Sequence, residues 1–301
     1  MWGMALAFSL HADFTIRVDE TTQRYTILDS GTPVLTYNDG IVPVPEGITG
    51  KYAVQRSNYI HPLYGPNGEV LTADYQKDHA HHRGIYWAWP EVTWKGEKRD
   101  LHALQGVFAR PVRIVSKEVT SGCAVFEAEN VWKWGDAEPV VRELAKISVS
   151  QEKDGRRMID FELKFESLVD GLTLARRGQS HYGGFNIRTS AREKQKIATH
   201  TDPPETNQRK AWACLAGVPP NGKESVSVVV LQDTSNPEYP GDWIQFPNIN
   251  WLQPTFPTKG TAFELKKGSP LVLKFRLVVC KGEADDAAMQ KLCEEYNGAG
   301  K

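Results

Sequence analysis

The segment from residue 107 to residue 165 constrains this chain most. Its pieces 107–120, 123–134, 140–151 and 158–165 follow one another with only short polar turns between them: Ser-Gly, Gly-Asp-Ala-Glu-Pro and Lys-Asp-Gly-Arg. Alternation is clear in KISVSQ and in MIDFELKF, whose apolar positions are Met158, Ile159, Phe161, Leu163 and Phe165. Successive side chains of a strand point to opposite faces. The pattern therefore marks antiparallel strands with one face on a core and the other in water.

The same period continues on either side. Residues 14–18 (FTIRV), 24–29 (RYTILD) and 33–37 (PVLTY) read as a β-meander, and Pro66-Asn67-Gly68 supplies a hairpin turn. Residues 84–89 read as a buried strand, and 185–188, 211–216, 226–231, 243–246 and 271–279 are further strand candidates with proline pairs between them. Residues 38–50 read as loop and the charged stretch 91–100 as a surface loop. Helical character appears only at 283–296 (EADDAAMQKLCEEY), with acidic residues in its first turn and Asn-Gly after its end. No repeat and no long linker divides the chain. The expected fold is all-β: a large two-sheet antiparallel β-sandwich of roughly 15 to 20 strands with one C-terminal helix. It forms a single domain over residues 13–301.

Composition removes several function classes. The formal charge is −1, which gives no electrostatic reason to expect nucleic acid or an anionic membrane as partner. No apolar run reaches the ~18 residues needed to span a bilayer. There is no nucleophile elbow, phosphate loop, dinucleotide glycine fingerprint or HExxH pair. The four cysteines are widely spaced with no CxxC, so free, mostly buried thiols are expected. Residues 1–12 (MWGMALAFSLHA) are short and apolar, like the end of a signal peptide, yet lack a basic start. They read as a signal-peptide remnant or a tail, and periplasmic, secreted and cytoplasmic locations all stay open.

The chemistry concentrates at residues 56–89. Here lie His61, His79, His81 and His82, four of the chain's eight histidines, bracketed by Arg56 and Arg83 and followed by Tyr86, Trp87 and Trp89. An apolar core would desolvate each imidazole at a cost, so the stretch reads as a polar, aromatic-rimmed pocket for a small hydroxylated ligand. On an extended segment His79 and His81 share one face, while Asp78 and His82 share the other. The first pair has a spacing found in β-borne sites for a divalent transition metal, with His61 or His181 as third ligand. The second pair suits proton transfer, with Asp78 fixing the tautomer of His82. A further cluster, RRGQSHYGGFNIR, offers His181, Tyr182 and the anchors Arg177 and Arg188, with Gly183-Gly184 allowing close backbone approach. Residues 240–257 (PGDWIQFPNINWLQPTFP) could wall a sugar site or pack a core.

The run from Arg56 through HPLYGPNGEVLT to DHAHHRGIYWAW closely resembles the bacterial family labelled PmoA-like, or methane oxygenase. The YGGFNIR segment and the late tryptophan- and proline-rich segment resemble it too, so the likeness covers most of the chain. Members commonly accompany sugar oxidoreductases and sugar isomerases, and with no membrane span here the resemblance implies carbohydrate metabolism. A second likeness is to aldose mutarotases. HHRGIYWAW and HYGGFNI stand in the order of their two histidine segments, and FELKKGSPLVLKFRLVV is similar to their closing strands. That resemblance implies a galactose-mutarotase-like supersandwich, with His82 and His181 matching the two histidines. No position matches the mutarotase glutamate.

The resulting expectation is a protein that handles a sugar, keto-sugar or glycoside by histidine acid–base chemistry. Asp78, His81, His82 and His181 would be catalytic. Arg56, His61, Arg83, Trp87, Trp89, Tyr182 and Arg188 would bind substrate. The alternatives are a non-catalytic carbohydrate-binding protein, or a metal-dependent sugar enzyme with His79 and His81 as ligands.

Overall fold

The computed structural model describes residues 14–77, 79–199 and 209–298. Strands make up 58% of it and helix 7%. Two eight-stranded antiparallel sheets dominate. The first runs, edge to edge, through Phe14–Asp19, Arg24–Asp29, Thr32–Asn38, Tyr59–Leu63, Ile85–Ala88, Gly184–Arg188, Trp251–Pro254 and Trp243–Phe246. The second runs through Val107–Val119, Cys123–Trp134, Glu138–Ser150, Arg156–Ser167, Leu271–Lys281, Val226–Gln232, Trp212–Val218 and Glu193–Thr199.

The alternating apolar positions pack between these sheets. Phe126 of the second sheet sits against Tyr25 and Tyr37 of the first, at ring distances of 5.1 and 5.0 Å. Phe185 of the first sheet packs against Phe161 and Phe275 of the second at 5.0 and 4.6 Å. One carboxylate lies in this core. Glu143 accepts hydrogen bonds from Trp132 Nε1 (2.6 Å) and Asn130 Nδ2 (2.8 Å) and from Trp87, and burial raises its pKa.

The one α-helix among the described residues, Asp286–Gly298, lies on the outer face of the second sheet. Met289, Leu292 and Cys293 cover Trp212, Cys214, Val229, Leu231 and Cys280. Strands Trp212–Val218 and Val226–Gln232 are thus buried on both faces, which is why they read as continuous apolar runs. The helix starts three residues later than its sequence pattern because the Asp285 side chain accepts the Ala288 N–H at 2.8 Å, as a capping residue does. All four cysteines are free, three of them buried. No helix among the described residues is long and apolar enough to cross a membrane.

The stretch 91–100 corrects the sequence reading. It is a hairpin, Glu91–Trp94 paired with Glu97–Arg99, within a four-stranded sheet completed by Leu172–Ala175 and Ala262–Leu265. Val92 and Trp94 are buried at every second position inside a run whose charges mask the period. Residues 1–12, read as a signal-peptide remnant or tail, lie outside the described residues.

Candidate functional site

The histidine stretch forms a strand, His79–Arg83, paired with Asp74–Gln76 in a small two-stranded sheet. The register is Asp74 opposite Arg83 and Gln76 opposite His79, so four steps on the histidine strand match two on its partner. This bulge breaks the simple alternation of faces. Bulges bend a strand and re-aim its side chains, and here they bring neighbouring residues together. The His81 and His82 rings are 4.6 Å apart, and His79 stacks on His82 at 4.7 Å. Arg83 anchors the bulge. It is fully buried, donates to the Ala80, His82 and Val54 carbonyls, pairs with Asp74 at 3.3 Å and lies over the Tyr75 ring. Gly84 then passes so close to the Ile60 carbonyl that a Cβ would meet its oxygen at 2.1 Å, so only glycine fits there.

A histidine that the sequence did not single out completes the group. His102 follows the 91–100 hairpin in a tight turn in which the Asp100 and Gln105 backbones exchange hydrogen bonds and Asp100 Oδ1 accepts the Ala103 N–H. Arg56 Nη2 donates to the Leu101 and His102 carbonyls, both at 2.8 Å, and its guanidinium covers the Tyr86 ring. His102 is completely buried, 5.3 Å in ring distance from both His81 and His82. One nitrogen from each of His81, His82 and His102 lies within 4.8 Å of the other two.

Two polar side chains orient His102. Its Nε2 lies 2.9 Å from the Tyr86 hydroxyl and 3.3 Å from Asn186 Oδ1. Asn186 is itself fixed: its Nδ2 donates to the Gly184 carbonyl at 2.8 Å, and Gln253 Nε2 donates to its Oδ1. Asn186 Oδ1 can only accept, so this contact is a hydrogen bond when Nε2 carries the proton, the tautomer that leaves Nδ1 as a lone pair. The Nδ1 atoms of His81 and His102 are buried without a hydrogen-bond partner.

Aromatic rings wall the group. Tyr52 packs on His81 at 4.8 Å, Tyr182 on His102 at 4.8 Å, and Trp251 on His82 at 4.6 Å. Arg177 on the rim donates Nε to the Tyr182 hydroxyl at 3.2 Å and pairs with Asp100. Arg188 Nη1 reaches His82 Nδ1 at 3.4 Å. Burial, reinforced by Arg56, His79, Arg83 and Arg177, pushes His81 down to about 3. Burial, with the neighbouring imidazoles and guanidiniums, also holds His82 and His102 well below the ordinary histidine range. Burial therefore favours the neutral form of all three imidazoles.

Of the expected substrate contacts, Arg188 and Tyr182 adjoin the group. Arg56 and Arg83 are instead committed to backbone carbonyls, so they position His102 and the bulge rather than face a ligand. Trp89 belongs to the inter-sheet core, with Nε1 on the Phe256 carbonyl and its ring against Trp132 and Phe165. Trp87 faces Glu143 in the same core, one residue out of phase with Tyr86. The walls come from Tyr52, Tyr182 and Trp251 instead. His61 lies in a separate cleft with Tyr59 and Asp74, its Nδ1 2.9 Å from Thr72 Oγ1. His181 is exposed on the turn Arg177–Gln179 leads into, its backbone held by Arg176 and Arg177. Neither is a member of the three-histidine group, whereas His79 touches it through its ring. Asp78 lies outside the described residues.

The family of unknown function DUF6807 matches residues 24–294, nearly the whole chain, and the protein belongs to that family. No curated protein matches it.

Proposed function

We propose that this member of the DUF6807 family is an enzyme acting on a small sugar, keto-sugar or glycoside in the pocket floored by His81, His82 and His102. One observation carries the reading: the His81 and His102 Nδ1 atoms are buried without partners among the rings of Tyr52 and Tyr182. Buried polar atoms are nearly always satisfied, so such atoms mark a place where a ligand completes the hydrogen bonding. A sugar fits this demand. Its hydroxyls donate to neutral imidazole nitrogens, while its C–H faces lie against rings such as Tyr182 and Trp251. The resemblance of HHRGIYWAW and its flanks to PmoA-like proteins supports the same substrate class.

Catalysis, rather than recognition alone, is favoured by the choice of side chain. Asparagine or serine would satisfy sugar hydroxyls, whereas three converging imidazoles add lone pairs able to move a proton or hold an ion. Isomerisation, epimerisation, lyase and hydrolase reactions each need an oxygen polarised or a proton moved beside it. The test is a panel of aldoses, ketoses and 3-keto-glycosides followed by NMR for both binding and conversion. Conversion of a panel member supports the proposal. Binding without conversion would leave a carbohydrate-binding protein and overturn the catalytic reading, and the absence of both binding and conversion would overturn the whole reading.

A further inference from the structure

We propose that His81, His82 and His102 together hold one divalent transition metal ion, of the zinc, manganese or iron class. The inference rests on the reading that this pocket is the working site, and it names the cofactor that site would use.

Three observations support it. One nitrogen from each imidazole lies within 4.8 Å of the others. A triangle of that size has its centre about 2.8 Å from each corner, and ligation at about 2.0–2.1 Å needs only a modest inward turn of the rings. Secondly, the Nδ1 atoms of His81 and His102 are buried with no hydrogen-bond partner in the protein, so each is available to a ligand or ion. Thirdly, His102 carries the outer support typical of a ligating histidine. Its Nε2–H is directed at Asn186 Oδ1, and Asn186 is held in turn by Gln253 and the Gly184 carbonyl. Tyr86 adds a second contact to the same nitrogen.

Four guanidiniums surround the cluster and oppose a cation there, but two of them are offset by carboxylates and one is tied to backbone carbonyls. Arg83 is paired with Asp74, Arg177 with Asp100, and Arg56 is bound to two carbonyls. The ion competes with Arg188 for the His82 lone pair, and a 3.4 Å contact is long enough to be displaced readily. Among the described residues no carboxylate or thiolate joins the three histidines. A three-histidine set leaves at least one coordination position open, as catalytic rather than structural sites do. With neutral ligands the ion would keep its full charge, which would favour a substrate oxygen that gains negative charge during reaction.

Elemental analysis of protein purified without chelator tests this, together with titration of chelator-treated protein with Co²⁺ followed by visible absorption. The expected result is close to one metal per chain in wild type. Affinity should fall at least 100-fold in His82→Gln and in His102→Gln, and stoichiometry should be unchanged in His61→Gln and His181→Gln. Circular dichroism verifies that each variant is folded, and the wild-type titration stands even if one variant is not. No stoichiometric uptake by wild type, or uptake that survives both cluster substitutions, overturns the inference. Metal-free wild type that still converts a sugar at full rate also overturns it while leaving the functional reading intact. A 1:1 metal complex that neither binds nor converts any panel sugar supports the metal site and defeats the functional reading instead.

Discussion

Tyr86 and His102 meet through a 2.9 Å contact between hydroxyl and Nε2 in a fully buried setting. Tyr86 comes from the middle of the first sheet and His102 from the turn that follows the 91–100 hairpin of the four-stranded sheet. Their contact, with Asn186 beside it, holds the His102 ring in place. The turn that carries His102 is therefore tied to the first sheet through Tyr86 and Asn186.

Removing that support should loosen the site without unfolding the protein. Asn186→Leu keeps the volume but takes away the acceptor for His102 Nε2–H. We expect a loss of about 10- to 100-fold in Co²⁺ affinity measured by titration, the usual range for an outer-shell partner of a metal ligand. Unchanged affinity would show that Asn186 does not orient His102.

The Tyr182 ring packs beside the three histidines, at 4.8 Å from His102 and 5.2 Å from Trp251. Tyr182→Leu preserves apolar bulk but removes the flat ring and the hydroxyl. Affinity for a bound sugar should fall about 5- to 10-fold by calorimetry, equivalent to about 1–1.4 kcal/mol. Because Tyr182 is only partly buried, the melting temperature should change little.

Asp39 gives the protein a pH-dependent strain away from the pocket. It is 6% exposed with Oδ1 unpartnered, and burial pushes its carboxyl up to about 6. The folded state binds this proton more tightly than the unfolded chain, where the pKa is about 3.9. Stability from this group is therefore present below pH ~4 and is lost as pH rises through 6. Asp39→Asn should be more stable than wild type at pH 8 by up to about 3 kcal/mol in urea melts, with the advantage fading toward pH 4. An advantage that does not vary with pH would contradict this cause.

Glu143 is the core's buried acceptor for Trp132 and Asn130. Glu143→Gln turns one accepting oxygen into an amide donor facing another donor. Denaturant melts should show a loss of about 1–3 kcal/mol. A neutral result would mean that the core rearranges to pair the amide.

Much of the fold was legible in sequence because alternation reports burial directly. The long strands from 107 to 165, the meander at 14–37 and the C-terminal helix follow from it. The 91–100 hairpin escaped because Val92 and Trp94 are its only strongly apolar markers among charges. The site was legible as a place but not as a geometry. His81 and His82 were found from their density, yet strict alternation assigned them to opposite faces. The bulge opposite Asp74–Gln76 that joins them is a property of pairing, invisible in one strand's sequence. His102 had no local signal at all. It is a lone histidine after a charged stretch, and only the turn held by Arg56 and Asp100 brings it to the others. Trp87 and Trp89 looked like ligand walls because composition cannot tell which side of a sheet a ring faces.

The most direct test of the central claim compares His82→Gln with His181→Gln for conversion of a panel sugar. His82 lies inside the three-histidine group, while His181 is exposed on a turn outside it. The account predicts that His82→Gln lowers the rate at least 100-fold and that His181→Gln stays within about threefold of wild type, against the ~10²–10⁴-fold typical for a group engaged in catalysis. A wild-type rate in His82→Gln, with the loss appearing in His181→Gln, would contradict it and move the chemistry to the outer turn.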